Sequence, residues 1–254
     1  MFFASRTTRN GSRMFLWDGL CSKIRFETTP CTLPQTKDLI MKHTAIDNVC
    51  GLKLALITPS TDLYYCNDES KLPFPEPWWA FLWPGGRALT KYITDNPSAV
   101  ANKRVLDIGS GCGSASIACA RAGAAVVVAN DIDVMAGAAL AVNMELNALK
   151  MDSISFVSNN LMDKPPEYFA QYDVVVCGDM LYDLHYAGFL ANALAAHPCA
   201  LFGDVGRTYC PKSISDNCLL ESYDYNEDGF PSMFVFRLTA GLIAENRTVW
   251  PQMA

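Results

Sequence analysis

The spacing of apolar positions divides the chain into an irregular first part and a regular second part. Residues 39–46 have the spacing of a short helix, and residues 52–58 (LKLALIT) alternate as a half-buried strand should. Residues 72–83 follow no period. Pro73, Pro75 and Pro77 forbid a regular helix or central strand there, while Phe74, Trp78, Trp79, Phe81 and Trp83 are too apolar to lie free in water. This segment is predicted to pack over another part of the molecule. A helix is predicted after Gly85 and Gly86, with Ala88, Leu89, Tyr92 and Ile93 at core spacing, ending near Asp95, Asn96 and Pro97.

From Lys103 onward, short apolar runs alternate with helical periods. Strands are predicted at 104–108, 125–129, 154–157, 172–177 and 200–202. Helices are predicted at 115–122, 135–149 and 184–196, the last with Phe189, Leu190, Ala193 and Leu194 inward. Strands without polar alternation are buried on both faces, so the pattern predicts an α/β fold with a mainly parallel sheet and helices on both sides. Residues 219–223 and 233–238, around a turn at 226–231, are predicted to form an antiparallel hairpin at one sheet edge. With no internal repeat or low-complexity linker, one domain is expected.

Composition narrows the picture. Half of the residues are apolar, which supports a large core, and no apolar run approaches the ~20 residues that cross a bilayer. A formal net charge of −6 and the lack of a basic stripe in the body of the chain exclude a nucleic-acid partner. The 10 cysteines are scattered without a CxxC pair, and His43, His185 and His197 are the only imidazoles, so no metal site is expected. Cys119, Cys177 and Cys199 lie in apolar runs, where a reduced thiol acts as a small hydrophobe, which fits a reducing compartment. Residues 1–26 differ from the rest. Arg6, Arg9, Arg13, Lys23 and Arg25 stand against the single acid Asp18, with Ser and Thr between, the composition of an organelle transit peptide; a basic tail without an address would look the same.

The chemistry concentrates at the ends of the predicted parallel strands. The run VLDIGSGCG at 105–113 places Asp107 in a strand and Gly109, Gly111 and Gly113 in a tight turn that opens a helix, where α/β sheets bind nucleosides and nucleotides. Ser114 breaks the GxGxxG dinucleotide fingerprint, which argues against a nicotinamide enzyme. The D-x-G-x-G-x-G form is typical of methyltransferases, whose ligand has no pyrophosphate for the helix N-terminus to hold. After the second strand come Asp131 and Asp133. One is expected to accept hydrogen bonds from two ribose hydroxyls and the other to cap the next helix, with Asp131 the preferred ribose partner. Asn160, after the third strand, is either an adenine contact or a polar turn residue. After the fourth strand, Asp179 and Tyr182 face the same crevice and suit the positioning of an amine acceptor, unless they are a helix cap and a core ring. Trp83 and its neighbours suit the wall of such a pocket and the face of a cation.

Trp78 to Gly86, the 106–113 run, 129–133, and Gly178-Asp179-Met180-Leu181-Tyr182 together resemble the seven-β-strand protein-lysine methyltransferases, over about 52–236. Leu181 departs from that family's D-x-F-Y-type motif, where Phe is usual, and this removes no polar group. The resemblance implies a Rossmann-like, seven-stranded fold with a single domain over 27–254 and its core at about 52–238. It implies S-adenosylmethionine as cofactor, bound by Trp83, Asp107, Gly109, Gly111, Gly113, Asp131 and Asn160, with Asp179 and Tyr182 as the catalytic pair. Members most like this chain act in mitochondria, which implies placement in the matrix and, as protein substrate, a lysine of the electron transfer flavoprotein β subunit. On the residues alone, a small-molecule acceptor and a non-catalytic binding module stay open as alternatives; the intact glycine turn and Asp131 speak against the second.

Overall fold

Successive side chains of a strand point to opposite faces, and the central strands fill both directions with apolar groups. Val105, Val127, Val174, Val176, Leu201 and Val235 enter one buried cluster, while Leu106, Ile108, Val175, Cys177, Phe202 and Phe236 enter another. These are the two cores of a computed structural model that describes residues 33–249, apart from 67, 228, 247 and 248, together with 24–25 and 30–31. The basic leader, 1–26, lies outside the described residues except for Ile24 and Arg25.

A two-residue pair, β1 (Ile24–Arg25) with β2 (Pro30–Cys31), precedes α1 (Leu33–His43) and an antiparallel ribbon of β3 (Ala45–Val49) and β4 (Leu52–Leu56). Next come α2 (Pro84–Asp95), β5 (Arg104–Ile108), α3 (Ser114–Arg121), β6 (Val126–Asn130), α4 (Val134–Leu146) and β7 (Ser155–Val157). The chain continues through α5 (Pro166–Phe169), β8 (Val174–Gly178), α6 (Leu184–Leu194), β9 (Ala200–Asp204), β10 (Leu219–Glu227), β11 (Phe230–Leu238) and α7 (Ala240–Glu245). The seven-stranded sheet has the order β10-β11-β9-β8-β5-β6-β7, with β5 to β9 parallel and the β10–β11 hairpin antiparallel at one edge. The predicted fold class is the observed one. Residues of α1 to α4 enter the first core, and those of α5 to α7 the second.

Several predicted boundaries move, each for a local reason. The first helix ends before Ile46, which belongs to β3; Thr44 turns its hydroxyl back onto the Ile40 carbonyl at 2.7 Å. The run at 52–58 pairs with β3 in a ribbon apart from the main sheet. The helix predicted at 135–149 stops at Leu146, where Ala148 adopts φ 54° and the N–H of Leu149 bonds back to Met144. The turn expected at 226–231 is tighter, because a register shift between Asp224 and Glu227 keeps Asn226 within β10. The short helices α5 and α7 span too few residues for a detectable period.

α4 is buried from Met135 to Met144 and has no polar face, because α1, β4 of the ribbon, α3 and the Trp78–Ala80 turn pack around it and Phe156 of β7 lies against Gly137. Two buried amides join these layers. Asn143 accepts from the N–H of Ala55 at 2.7 Å and donates to the carbonyl of Cys112 at 2.8 Å, tying the ribbon to the glycine turn. Asn147 bonds both the N–H and the carbonyl of Lys53. Replacing Asn143 by Ala leaves a buried donor and a buried acceptor unpaired, so the expected loss is about 3 kcal/mol, read as a lower urea midpoint at unchanged slope. An unchanged midpoint would show that the ribbon does not hang on this amide.

Candidate functional site

Sheet order sets where the site lies. β5 pairs with β6 on one side and with β8 on the other, while the chain leaves β5 toward β6 and leaves β8 toward β9. The loops after β5 and β8 therefore diverge and open a crevice at the carboxyl end of the sheet. The glycine turn and the Asp179 loop are its two walls. A separate cleft of about 530 Å³, between β3, α2 and β10–β11, contains none of the predicted site residues.

On the first wall, Gly109, Gly111 and Gly113 have φ of 68°, 50° and 80°. A side chain at Gly113 would be strained by that conformation and would run into Leu140 of α4, so only glycine allows α3 to start so close to α4. The turn is closed by the N–H of Gly113 on the Ser110 carbonyl and fixed to the next strand by the N–H of Ser110 on the Asn130 carbonyl. The Ser110 hydroxyl is buried without a hydrogen-bond partner, a polar atom that a bound ligand would satisfy. Asp107 lies beneath the turn, 2% exposed, and accepts a 2.6 Å bond from the Ser116 hydroxyl of α3. Burial pushes its pKa up to about 6, against the pull of that hydroxyl. This bond ties the end of β5 to α3.

The geometry gives the two acids after β6 different partners. Asp133 caps α4, accepting from the N–H of Met135 at 2.8 Å. Asp131 reaches the glycine turn, with Oδ2 accepting from Gly111 N–H at 2.9 Å and Oδ1 from Asp133 N–H at 3.0 Å. Burial raises the Asp131 pKa, and these backbone donors oppose the rise. Asn160 is exposed, and its carbonyl oxygen caps a short 3-10 turn through Met162 N–H. The buried amide in this region is Asn130, which donates to the carbonyls of Val157 and Asn159 and fixes the loop after β7.

On the second wall, Asp179 is 7% exposed at φ 57°, a left-handed conformation that Asp tolerates better than most residues. It does not cap α6; Asp183 does, through the N–H groups of His185 and Tyr186. Its Oδ2 accepts from the N–H of Gly86, at the start of α2, at 2.9 Å. Its Oδ1 accepts from Arg207 Nε at 3.1 Å and Nη2 at 2.8 Å. Burial pushes the Asp179 pKa up to about 6, and Arg207 is the strongest opposing influence. Tyr182 is no core ring: it is 54% exposed beside Tyr186, and burial of its phenol raises its pKa to about 12. The ring of Trp83 packs with Trp78 and Phe81, and the Arg207 guanidinium stands 5.7 Å from its centre. Trp83 is thereby placed with Asp179, while the tryptophan beside Gly111 is the buried Trp79.

Arg207 was not among the predicted site residues. The residues beside it carry a signal: the fully buried Asp204 accepts at 2.7 Å from the N–H groups of both Gly206 and Arg207, an Asx turn that aims the arginine back over β8. Among the described residues, no group of three or more His, Cys, Asp or Glu is gathered to hold a metal ion, and no helix is long and apolar enough to cross a membrane.

Comparison with known proteins gives the family. The family model "Ribosomal protein L11 methyltransferase (PrmA)" matches residues 91–184. A solved structure of a putative SAM-dependent methyltransferase from Streptococcus mutans superposes with a TM-score of 0.50 at 15% identity, covering 77% of this chain and 55% of that one, a likeness of fold. The electron transfer flavoprotein beta subunit lysine methyltransferase of Mus musculus is 35% identical over 212 residues, covering 80% of this chain and 77% of that protein. The Danio rerio protein of the same name is 36% identical over 216 residues, covering 82% and 80%. At that identity and coverage, the chain belongs to the family of electron transfer flavoprotein beta subunit lysine methyltransferases and is a protein-lysine methyltransferase.

Proposed function

We propose that this chain methylates a lysine of the electron transfer flavoprotein β subunit in the mitochondrial matrix, with S-adenosylmethionine as methyl donor. The observation that carries the reading is the pairing, across one crevice, of a glycine turn joined to Asp131 with a buried carboxylate, Asp179. The relatives' names supply the flavoprotein subunit, and the basic composition of 1–26 supports the compartment.

The first wall suits a sulfonium nucleoside. Gly109, Gly111 and Gly113 would let the backbone approach it, Asp131 would accept from ribose hydroxyls, and Ser110 offers an unpaired hydroxyl. When bound, S-adenosylmethionine supplies an electrophilic methyl group. Asp107 and Asn143 act from behind the turn and keep its shape. On the second wall, Asp179 accepts a hydrogen bond from the acceptor amine and turns its lone pair toward the donor, a proximity effect. Tyr182 and Trp83, both at the surface, flank the acceptor side chain.

Two outcomes are expected. In calorimetry with S-adenosylhomocysteine, Asp131→Ala weakens binding by about tenfold to a hundredfold, the value of charge-assisted bonds to the sugar; unchanged affinity would take Asp131 out of the cofactor site. With labelled S-adenosylmethionine and recombinant flavoprotein β subunit, wild type labels a lysine, and Asp179→Ala lowers the rate by about a hundredfold with nucleoside affinity retained. An unlabelled subunit under these conditions would sink the proposed substrate.

A further inference from the structure

An ionised carboxylate offers about four acceptor positions. Gly86 takes one on Asp179 Oδ2 and Arg207 takes two on Oδ1, so one acceptor position on Oδ2 is left. Arg207 is itself held from two sides. Its backbone is anchored by Asp204, and its guanidinium lies over the face of Trp83. A permanently charged, forked cation is therefore fixed on the carboxylate that faces the acceptor.

We propose that Arg207 is a positioning residue that cancels the charge of Asp179, so that the acceptor lysine meets a hydrogen-bond acceptor rather than an unpaired anion and reacts as a neutral amine. The proposal rests on Asp179 facing that amine, as in the proposed function. An unperturbed lysine, with a pKa of about 10.4, is mostly protonated near neutral pH and has no lone pair to donate. A bare buried carboxylate would raise that pKa further. Paired with Arg207, Asp179 keeps its directional acceptor and loses most of its pull on a proton.

The groups around this pair sharpen the need for it. From β8, Cys177 is buried and its thiol is held well above the usual range by desolvation, so it stays neutral. Tyr182, in the loop after β8, is neutral for the same reason. From α2 the only group bonded to Asp179 is the Gly86 N–H, which carries no full charge. From the end of β9, Asp204 adds a second carboxylate that raises the Asp179 pKa. Without Arg207, the acceptor would face two acids and no cation among these groups.

The test uses the full chain, recombinant flavoprotein β subunit and labelled S-adenosylmethionine, with rates measured from about pH 6 to 10 to span the pKa values involved. For Arg207→Gln, kcat is expected to fall about tenfold to a hundredfold near pH 7, with KM for the subunit changed less than about threefold. Its rate profile should move to higher pH by about one to two units, recovering most of the loss at the alkaline end. Arg207→Met, which keeps an apolar stem against Trp83, should show the same displacement, and Arg207→Lys should restore the wild-type position. S-adenosylhomocysteine should bind the variants with the wild-type heat. A loss that is equal at every pH, or one confined to KM, overturns the inference while leaving the proposed function standing. A wild-type chain that forms no methyl-lysine overturns both.

Discussion

A carboxylate withdrawn from water at the end of a strand must have its charge met, or it takes up a proton. For Asp179 the partners come from two other elements, and bringing them close enough constrains the whole carboxyl end of the sheet. The amide of Gly86 reaches Oδ2 only if the first turn of α2 lies directly against the ends of β8 and β9. No room for a side chain remains between them: a Cβ on Gly85 would collide with the carbonyl of Gly203, and one on Gly203 with the carbonyl of Gly85. The Asp179 N–H on the Gly203 carbonyl at 3.0 Å locks the loop from the other side. The glycine pair behind the aromatic segment is thus a packing requirement of the buried acid.

The opposite wall meets its buried acids differently. Among the described residues, Asp131 and Asp107 face no cation; backbone N–H groups and one hydroxyl serve them, and their pKa values are raised. Acids held by neutral donors leave the wall negative, which suits a ligand that carries a positive sulfonium and offers hydroxyl donors. The Asp179 wall, with its guanidinium, is locally balanced. The crevice therefore has a polarity from side to side, with the uncompensated acids on the side proposed for the nucleoside and the paired acid on the side proposed for the amine.

What the sequence made legible follows from the range of the interactions involved. The parallel strands could be read because burial on two faces forces continuous apolar runs, as in Val174–Gly178. The glycine turn could be read because a left-handed backbone leaves a local mark. Arg207 could not, since its meaning depends on a carboxylate 28 residues away and on Trp83, both met only after folding. The choice between Asp131 and Asp133 also needed three dimensions, because each is a good N-cap by type and only the approach of Gly111 separates them. The local partners of Asn160 and Trp83 are likewise set by folding: the first spends its carbonyl oxygen on a turn, and the second packs under the Arg207 guanidinium. The β3–β4 ribbon shows in the sequence only as the alternation at 52–58, since its attachment is through Asn143 of a distant helix and Asn147 at that helix's end.

The aromatic residues extend the contrast between the walls. Trp79, against the glycine turn, is fully enclosed and belongs to the core. Trp78, Trp83 and Tyr182 leave 41%, 38% and 54% of their surface in water, and Tyr64 and Tyr65 continue the series outward through Phe81. Rings left in water contribute little to folding, at roughly 25 cal/mol for each Å² left unburied. Tyr65, Tyr64, Phe81, Trp83 and Trp78 are linked by ring-centre distances of 5.1 to 6.4 Å, and the guanidinium above Trp83 joins them to the Asp179–Arg207 pair. A single lysine side chain would cover only the innermost of these rings. The outer ones are accounted for when the lysine arrives attached to a folded surface, which makes the aromatic margin a physical argument for a protein acceptor over a small molecule.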